Sequence, residues 1–216
     1  MGFGLLFVGY IFFLYVIPIG SQFLSIGASI LLYALYKLSP YHVGFRRSAY
    51  LALVLFVLGL PSLADMILAV SLPIPPIVLS CLTATAHAVM IVFHILLFGA
   101  IADLAKRNSI FRLQVAATQN RLFTAVFCFL LLVNEILTPI LVSHLSENVG
   151  MRVLLYVLIG RIIFGLIVTG LNLVMLFNAY MRFCRPGEEK KGVVEYQQFI
   201  DAANAAKTSK KGDSKK

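Results

Sequence analysis

Apolar residues run along this chain in long blocks separated by short polar or basic breaks. Residues 1–36 contain no charged side chain, and further apolar runs occupy 48–71, 76–104, 122–143 and 153–181. Read as one helix, the first block would be roughly 54 Å long at ~1.5 Å per residue. That far exceeds the ~30 Å hydrocarbon core of a bilayer. The stretch "IPIGSQ" at 17–22 supplies a proline, a glycine and polar residues in its middle. The block is therefore expected to divide into helices at 2–17 and 22–37. "LPIPP" at 72–76 closes the third run, since proline cannot continue a helix and restricts the residue before it. The expectation is an all-α, polytopic transmembrane bundle of six spans over residues 1–185. A basic tail over 186–216 follows it.

Composition supports lipid rather than water as the solvent. The chain has 216 residues, 60% hydrophobic and 12% charged, against about 25% charged in soluble domains. Helices this apolar have no polar face to turn to water. In a bilayer they satisfy their own backbone groups.

Charge then orients the bundle. Lys37, Arg46 and Arg47 lie in the 37–47 connection, and Lys106, Arg107, Arg112 and Arg121 in the 106–121 connection. The segment after Met181 holds nine Lys or Arg against five acids. The alternate connections are bare at 18–22 and 72–76, with only Glu147 and Arg152 at 144–152. Lys and Arg remain on the cytoplasmic side of short loops, so both termini are expected in the cytoplasm. The net charge of +9 is accounted for by this signal and by a tail suited to anionic lipid headgroups, with no need of nucleic acid. Tyr33, Tyr36, Tyr41, Tyr50 and Tyr180 fall near the basic boundary, as an aromatic belt would.

Two cytoplasmic segments have surface character. "KRNSIFRLQVAATQNR" mixes bases with Ile110, Phe111, Leu113 and Val115, like a helix lying in the interface. In the tail, Val193, Tyr196, Ile200 and Ala203 recur at helical spacing, and "KTSKKGDSKK" has a disordered composition.

The opening "MGFGLLFVGY" and the later "LYALYKLS" resemble the start of small, multi-pass, uncharacterised bacterial membrane proteins. The resemblance covers about the first forty residues. It implies a bacterial inner membrane and brings no activity with it.

The polar residues within the apolar runs are few: Asp65, His87, His94, Asn134, Glu135, Arg161 and Asn172. A charge at mid-membrane costs at least ~2.5–3.5 kcal/mol, so each calls for a partner or a use. Counted from the span boundaries, Asp65, His87, Glu135 and Arg161 reach one layer about 15–25 Å from the cytoplasmic face. Glu135 and Arg161, on consecutive antiparallel spans, are expected to pair. Such a pair also serves merely to fix helix register. Pro139 and Pro61 withdraw the N–H that the carbonyls of Glu135 and Val57 would accept. Freed carbonyls beside acidic groups recur at transporter sites.

Ser80, His87 and His94 recur every seven residues and share one helix face. That stripe suits a proton relay or half a metal site, or hydrogen bonds that hold helices together. Cys81, Cys128 and Cys184 imply no disulfide framework and read as apolar filler. The sequence contains no H-E-x-x-H, G-x-S-x-G, P-loop or dinucleotide fingerprint, and no cofactor or catalytic residue is expected.

Asp65, His87, His94, Asn134, Glu135 and Arg161 thus form the candidate binding set. They suit a small solute or ion transporter or binder. The alternatives are a non-catalytic accessory subunit, with a second copy or another membrane protein as partner, and an intramembrane metal-dependent enzyme.

Overall fold

The computed structural model describes residues 2–13, 20–68, 75–144 and 147–183, without the side chains at 20–23, 65, 66, 68, 76, 139–144, 147 and 148. Six α-helices fill these residues: α1 Gly2–Phe12, α2 Gly20–Leu38, α3 Val43–Leu68, α4 Pro76–Arg107, α5 Phe111–His144 and α6 Glu147–Phe183. No strand occurs among them. Four helices are long and apolar enough to cross a membrane, over Val43–Ala64, Ile77–Arg107, Phe111–Thr138 and Val149–Phe183. α1, at 11 residues, is only ~16 Å long by its rise per residue. Of the expected break at 17–22 only 20–22 are described, and they already belong to α2; of the break at 72–76 only 75 and 76 are described, at the start of α4; the tail at 186–216 lies outside the described residues. The chain divides into a compact unit over Met1–Tyr180 and the remainder, Met181–Lys216.

The basic connections are shorter than the sequence suggests. α2 and α3 are separated by residues 39–42, and α4 and α5 by 108–110. The segment read as an interfacial helix from Lys106 to Arg121 is instead the end of α4, a tight turn and the first turns of α5. Lys and Arg are good helix formers, so basic residues did not end the helices. The turn is made by Asn108 and Ser109. Asn108 donates its backbone N–H and its side-chain Nδ2 to the Leu104 carbonyl, at 3.1 and 2.8 Å. Ser109 takes a φ of 56°, a left-handed conformation that stops the helix.

Each helix packs on the next from α1 to α5. α1 and α2 approach closely because both carry glycine at the crossing. A Cβ on Gly27 would lie 2.7 Å from the Phe13 backbone nitrogen, and one on Gly9 would lie 3.0 Å from that of Leu31. Small residues at such crossings replace the hydrophobic drive that lipid removes. α3 and α2 are tied by Ser25, whose Oγ donates to the Phe56 carbonyl at 3.0 Å. α4 is the most enclosed span: 44% of its most apolar stretch is buried, against 11% for α6. Phe93, His94, Leu97, Phe98 and Ile101 are among its buried residues.

α6 is held differently. It makes no extended close backbone approach to another helix among the described residues. Side chains reach across instead: Phe164 meets Phe127 of α5 edge-on at 5.4 Å between ring centroids, and Phe177 meets Phe7 of α1 at 6.1 Å.

Candidate functional site

The buried polar centre lies where α1, α4, α5 and α6 meet. His94 is fully enclosed on α4. Its Nδ1 lies 2.8 Å from the Met90 carbonyl one turn earlier. A carbonyl only accepts, so Nδ1 carries the proton and Nε2 is the acceptor. Tyr10 of α1 supplies the donor: its Oη is 3.0 Å from Nε2. The phenol oxygen accepts in turn from Asn172 Nδ2 of α6 at 2.7 Å. The second Asn172 N–H goes to Thr124 Oγ1 of α5 at 2.8 Å, and that hydroxyl lies 3.2 Å from Asn172 Oδ1, to which it donates. One turn nearer the start of α5, Asn120 Nδ2 donates to the Leu171 carbonyl at 2.9 Å.

These bonds follow from local sequence. Tyr10 belongs to the buried face of α1 with Phe3, Leu6 and Gly9, spaced three or four apart. Asn120, Thr124, Phe127 and Leu131 mark the inward face of α5, and Val168, Asn172, Met175 and Ala179 that of α6. A buried amide or phenol is costly unless bonded. Here each of Tyr10, His94 and Asn172 finds its partners on other helices or its own backbone. Rings surround the imidazole: Phe93, Phe98, Tyr10 and Phe13 all have centroids within 6 Å of it.

A cavity of about 30 Å³ adjoins the network. It is lined by Tyr10, His94, Thr124, Cys128, Thr169 and Asn172 together with Phe13, Met90, Phe127, Leu131 and Val168, and most of its wall is apolar. A water needs ~10–15 Å³ of such space and two to four polar partners, so the volume is that of one or two waters. A second cavity, of about 20 Å³, is lined by Pro61, Ser62, Gly59 and Thr83. Proline 61 interrupts the α3 ladder at that point without ending the helix.

The side chains of five of the six residues singled out in the sequence are described. His94 is at the polar centre. His87, also buried, lies seven residues from His94, toward the start of α4. The guanidinium of Arg161 acts on it electrostatically. Asn134 accepts from Thr138 Oγ1 on its own helix at 3.1 Å. Glu135 is half-buried, and no ion pair joins it to Arg161 among the described residues. The expected pair is therefore corrected. Depth alone does not bring two side chains together, and α5 and α6 are spaced apart by the Phe127–Phe164 rings instead of closing backbone to backbone. The side chains of Asp65 and Pro139 lie outside the description, although both residues are within helices.

Comparison with protein-family models, curated proteins and solved structures finds no match to this chain. The site must therefore be read from its own chemistry. Among the described residues no three of His, Cys, Asp or Glu converge as metal ligands. The polar groups around the larger cavity are neutral or weakly ionising: a phenol, an imidazole, a thiol, two hydroxyls and an amide. Such a set hydrogen-bonds a small polar guest in either direction.

Sequence reasoning missed Tyr10 and Thr124 and took Cys128 for filler. Asn172 stood out as a polar residue within a span but was not joined to a site. The signal that could have found the group is the opposition of Asn172 to two uncharged hydrogen-bonding residues, Thr124 and Asn120, at matching depth on the antiparallel α5.

Proposed function

We propose that this chain is a six-span integral membrane protein with both termini in the cytoplasm, and that it binds or passes a small polar species at the centre formed by α1, α4, α5 and α6. The observation that carries this reading is the roughly 30 Å³ cavity lined in part by the polar residues Tyr10, His94, Thr124, Thr169 and Asn172 inside an apolar bundle. Its size suits a guest no larger than one or two waters. A larger solute requires one wall to move. α6 is the wall suited to that, because side chains hold it where close backbone crossings hold α1 to α5.

The experiment uses Thr169. The residue lines the cavity, and its hydroxyl makes no hydrogen bond among the described residues. Thr169→Ile removes the hydroxyl and adds one heavy atom to the space, leaving the Tyr10–His94–Asn172 bonds intact. Proteoliposomes holding the parent or the variant are tested for water permeability and for proton and alkali-cation flux. A flux present in the parent and lost in Thr169→Ile, with the melting temperature kept, supports the site. Equal fluxes in parent, variant and empty liposomes overturn it.

The second reading is a non-catalytic accessory subunit whose polar residues hold helices together. The observation favouring it is the mutual satisfaction of Tyr10, His94, Asn172 and Thr124. Co-purification with a fixed membrane partner, in the absence of any flux, selects it. The topology is tested separately with single cysteines at 72–76 and 144–152 in a background lacking Cys81, Cys128 and Cys184. Labelling from outside intact cells is expected at both, and protection of either refutes six spans in this orientation.

A further inference from the structure

The α4–α5 hairpin has one basic residue placed unlike its others. Gly44, at the start of α3, abuts α4 so closely that a Cβ on it would lie 2.8 Å from the Ala100 Cβ. His42, just before α3, has its Nε2 3.6 Å from Asp103 Oδ2. Residues 100–103 of α4 are therefore level with the beginning of α3. Beyond that level α4 runs on to Arg107, so the α4–α5 hairpin projects about 6 Å past the α2–α3 connection. Lys106, Arg107 and Arg112 occupy the projecting part.

Arg121 does not. Its Nη1 lies 3.7 Å from where a Cβ on Gly99 would be, with no other atom within 4 Å of that point. The guanidinium thus sits over a notch in α4, level with the first turn of α3. Exposed Tyr33, Tyr36, Tyr41 and Tyr50 cluster around the same boundary. Arg121 is exposed, and the next two residues, Leu122 and Phe123, are exposed apolar side chains. No acidic side chain pairs with Arg121 among the described residues, and Asp103, the acid on α4 one turn beyond Gly99, faces His42.

We propose that Arg121, set over Gly99, binds the phosphate of an anionic phospholipid at the cytoplasmic headgroup layer. A guanidinium offers a planar fork of donors that matches two phosphate oxygens. Its stem lies along apolar surface while its head stays at the interface. The flanking Leu122 and Phe123 meet the acyl chains below the bound headgroup. Anionic lipid is abundant in the cytoplasmic leaflet and is drawn to basic residues there. The absent side chain at Gly99 gives the headgroup room against the helix. This inference rests on the bilayer placement proposed above and not on what the central cavity holds.

The test is thermal melting of the full chain in neutral detergent, titrated with short-chain phosphatidylglycerol, short-chain phosphatidylcholine or inorganic phosphate. Phosphatidylglycerol should raise the melting temperature of the parent saturably, and the other two should not. Arg121→Gln should weaken the apparent affinity about tenfold or more, as loss of a charge-assisted contact implies. Arg121→Lys should fall between, keeping the charge and losing the fork. Gly99→Leu should weaken binding while Arg121 remains, and Arg112→Gln should leave it within about twofold. The proposal is overturned if Arg121→Gln or Gly99→Leu binds like the parent, or if Arg112→Gln loses as much as Arg121→Gln. An equal response to inorganic phosphate replaces the lipid with a free anion.

Discussion

Removing a single oxygen atom tests the polar centre most directly. Tyr10→Phe keeps the ring and its packing against His94, Phe13 and Phe98. It deletes the hydroxyl that both donates to His94 Nε2 and accepts from Asn172 Nδ2. Two buried groups on two helices lose this partner at once. Hydrogen bonds between membrane helices average ~0.6 kcal/mol and reach ~1.7. Two of them place the cost at about 1–3 kcal/mol, a change of about 5–150-fold in the unfolding equilibrium. Reversible unfolding in mixed micelles, followed by far-ultraviolet circular dichroism, measures it. The cycle of Tyr10→Phe with Asn172→Leu then isolates the shared bond, and the double variant should cost clearly less than the sum of the singles. The same holds for Tyr10→Phe with His94→Phe. Additive losses in both cycles, or a Tyr10→Phe variant indistinguishable from the parent, would refute the network.

Other consequences are simpler to check. Gly27→Val should destabilise the fold, because its Cβ meets the α1 backbone at Phe13 and not a side chain able to yield; melting should show it. Gly160→Ala, where nothing lies within 4 Å, should be neutral or stabilising by up to ~1 kcal/mol through helix propensity. Phe164→Leu and Phe127→Leu should couple by about 0.5–1.5 kcal/mol in a double-mutant cycle, since their edge-on contact joins α5 to α6. Thr124→Val should cost no more than about 1 kcal/mol in melting, as Asn172 keeps its bond to Tyr10.

The helical bundle was legible in the chain because apolar runs of span length have only one solution in lipid. Helix ends were less so. Arg46, Arg47, Arg112 and Arg121 read as loop because charge leaves the hydrocarbon, but a helix can carry such residues too, and α3 and α5 do. His94 was legible as a polar group on an apolar face. Its partners were not, since Tyr10 is one aromatic among many in an uncharged run and declares its bond only when α1 is laid against α4. Charge directed attention to Glu135 and Arg161, but whether two side chains at one depth meet is set by helix packing, which depth counts do not contain. Uncharged residues did the joining at the centre, and they carry little signal until two helices are brought together.

The order of donors through the centre has an electrical meaning. Asn172 gives to Tyr10, Tyr10 to His94, and His94 to the Met90 carbonyl, so every hydrogen points the same way and the line ends on an atom that holds no proton to pass on. Hopping conduction requires each link to accept at one side, release at the other, and then turn back. The amide and the carbonyl at the two ends do neither. In this arrangement the hydrogen-bonded line itself is no proton wire, so a proton flux through the proposed site would have to run through water in the adjoining cavity.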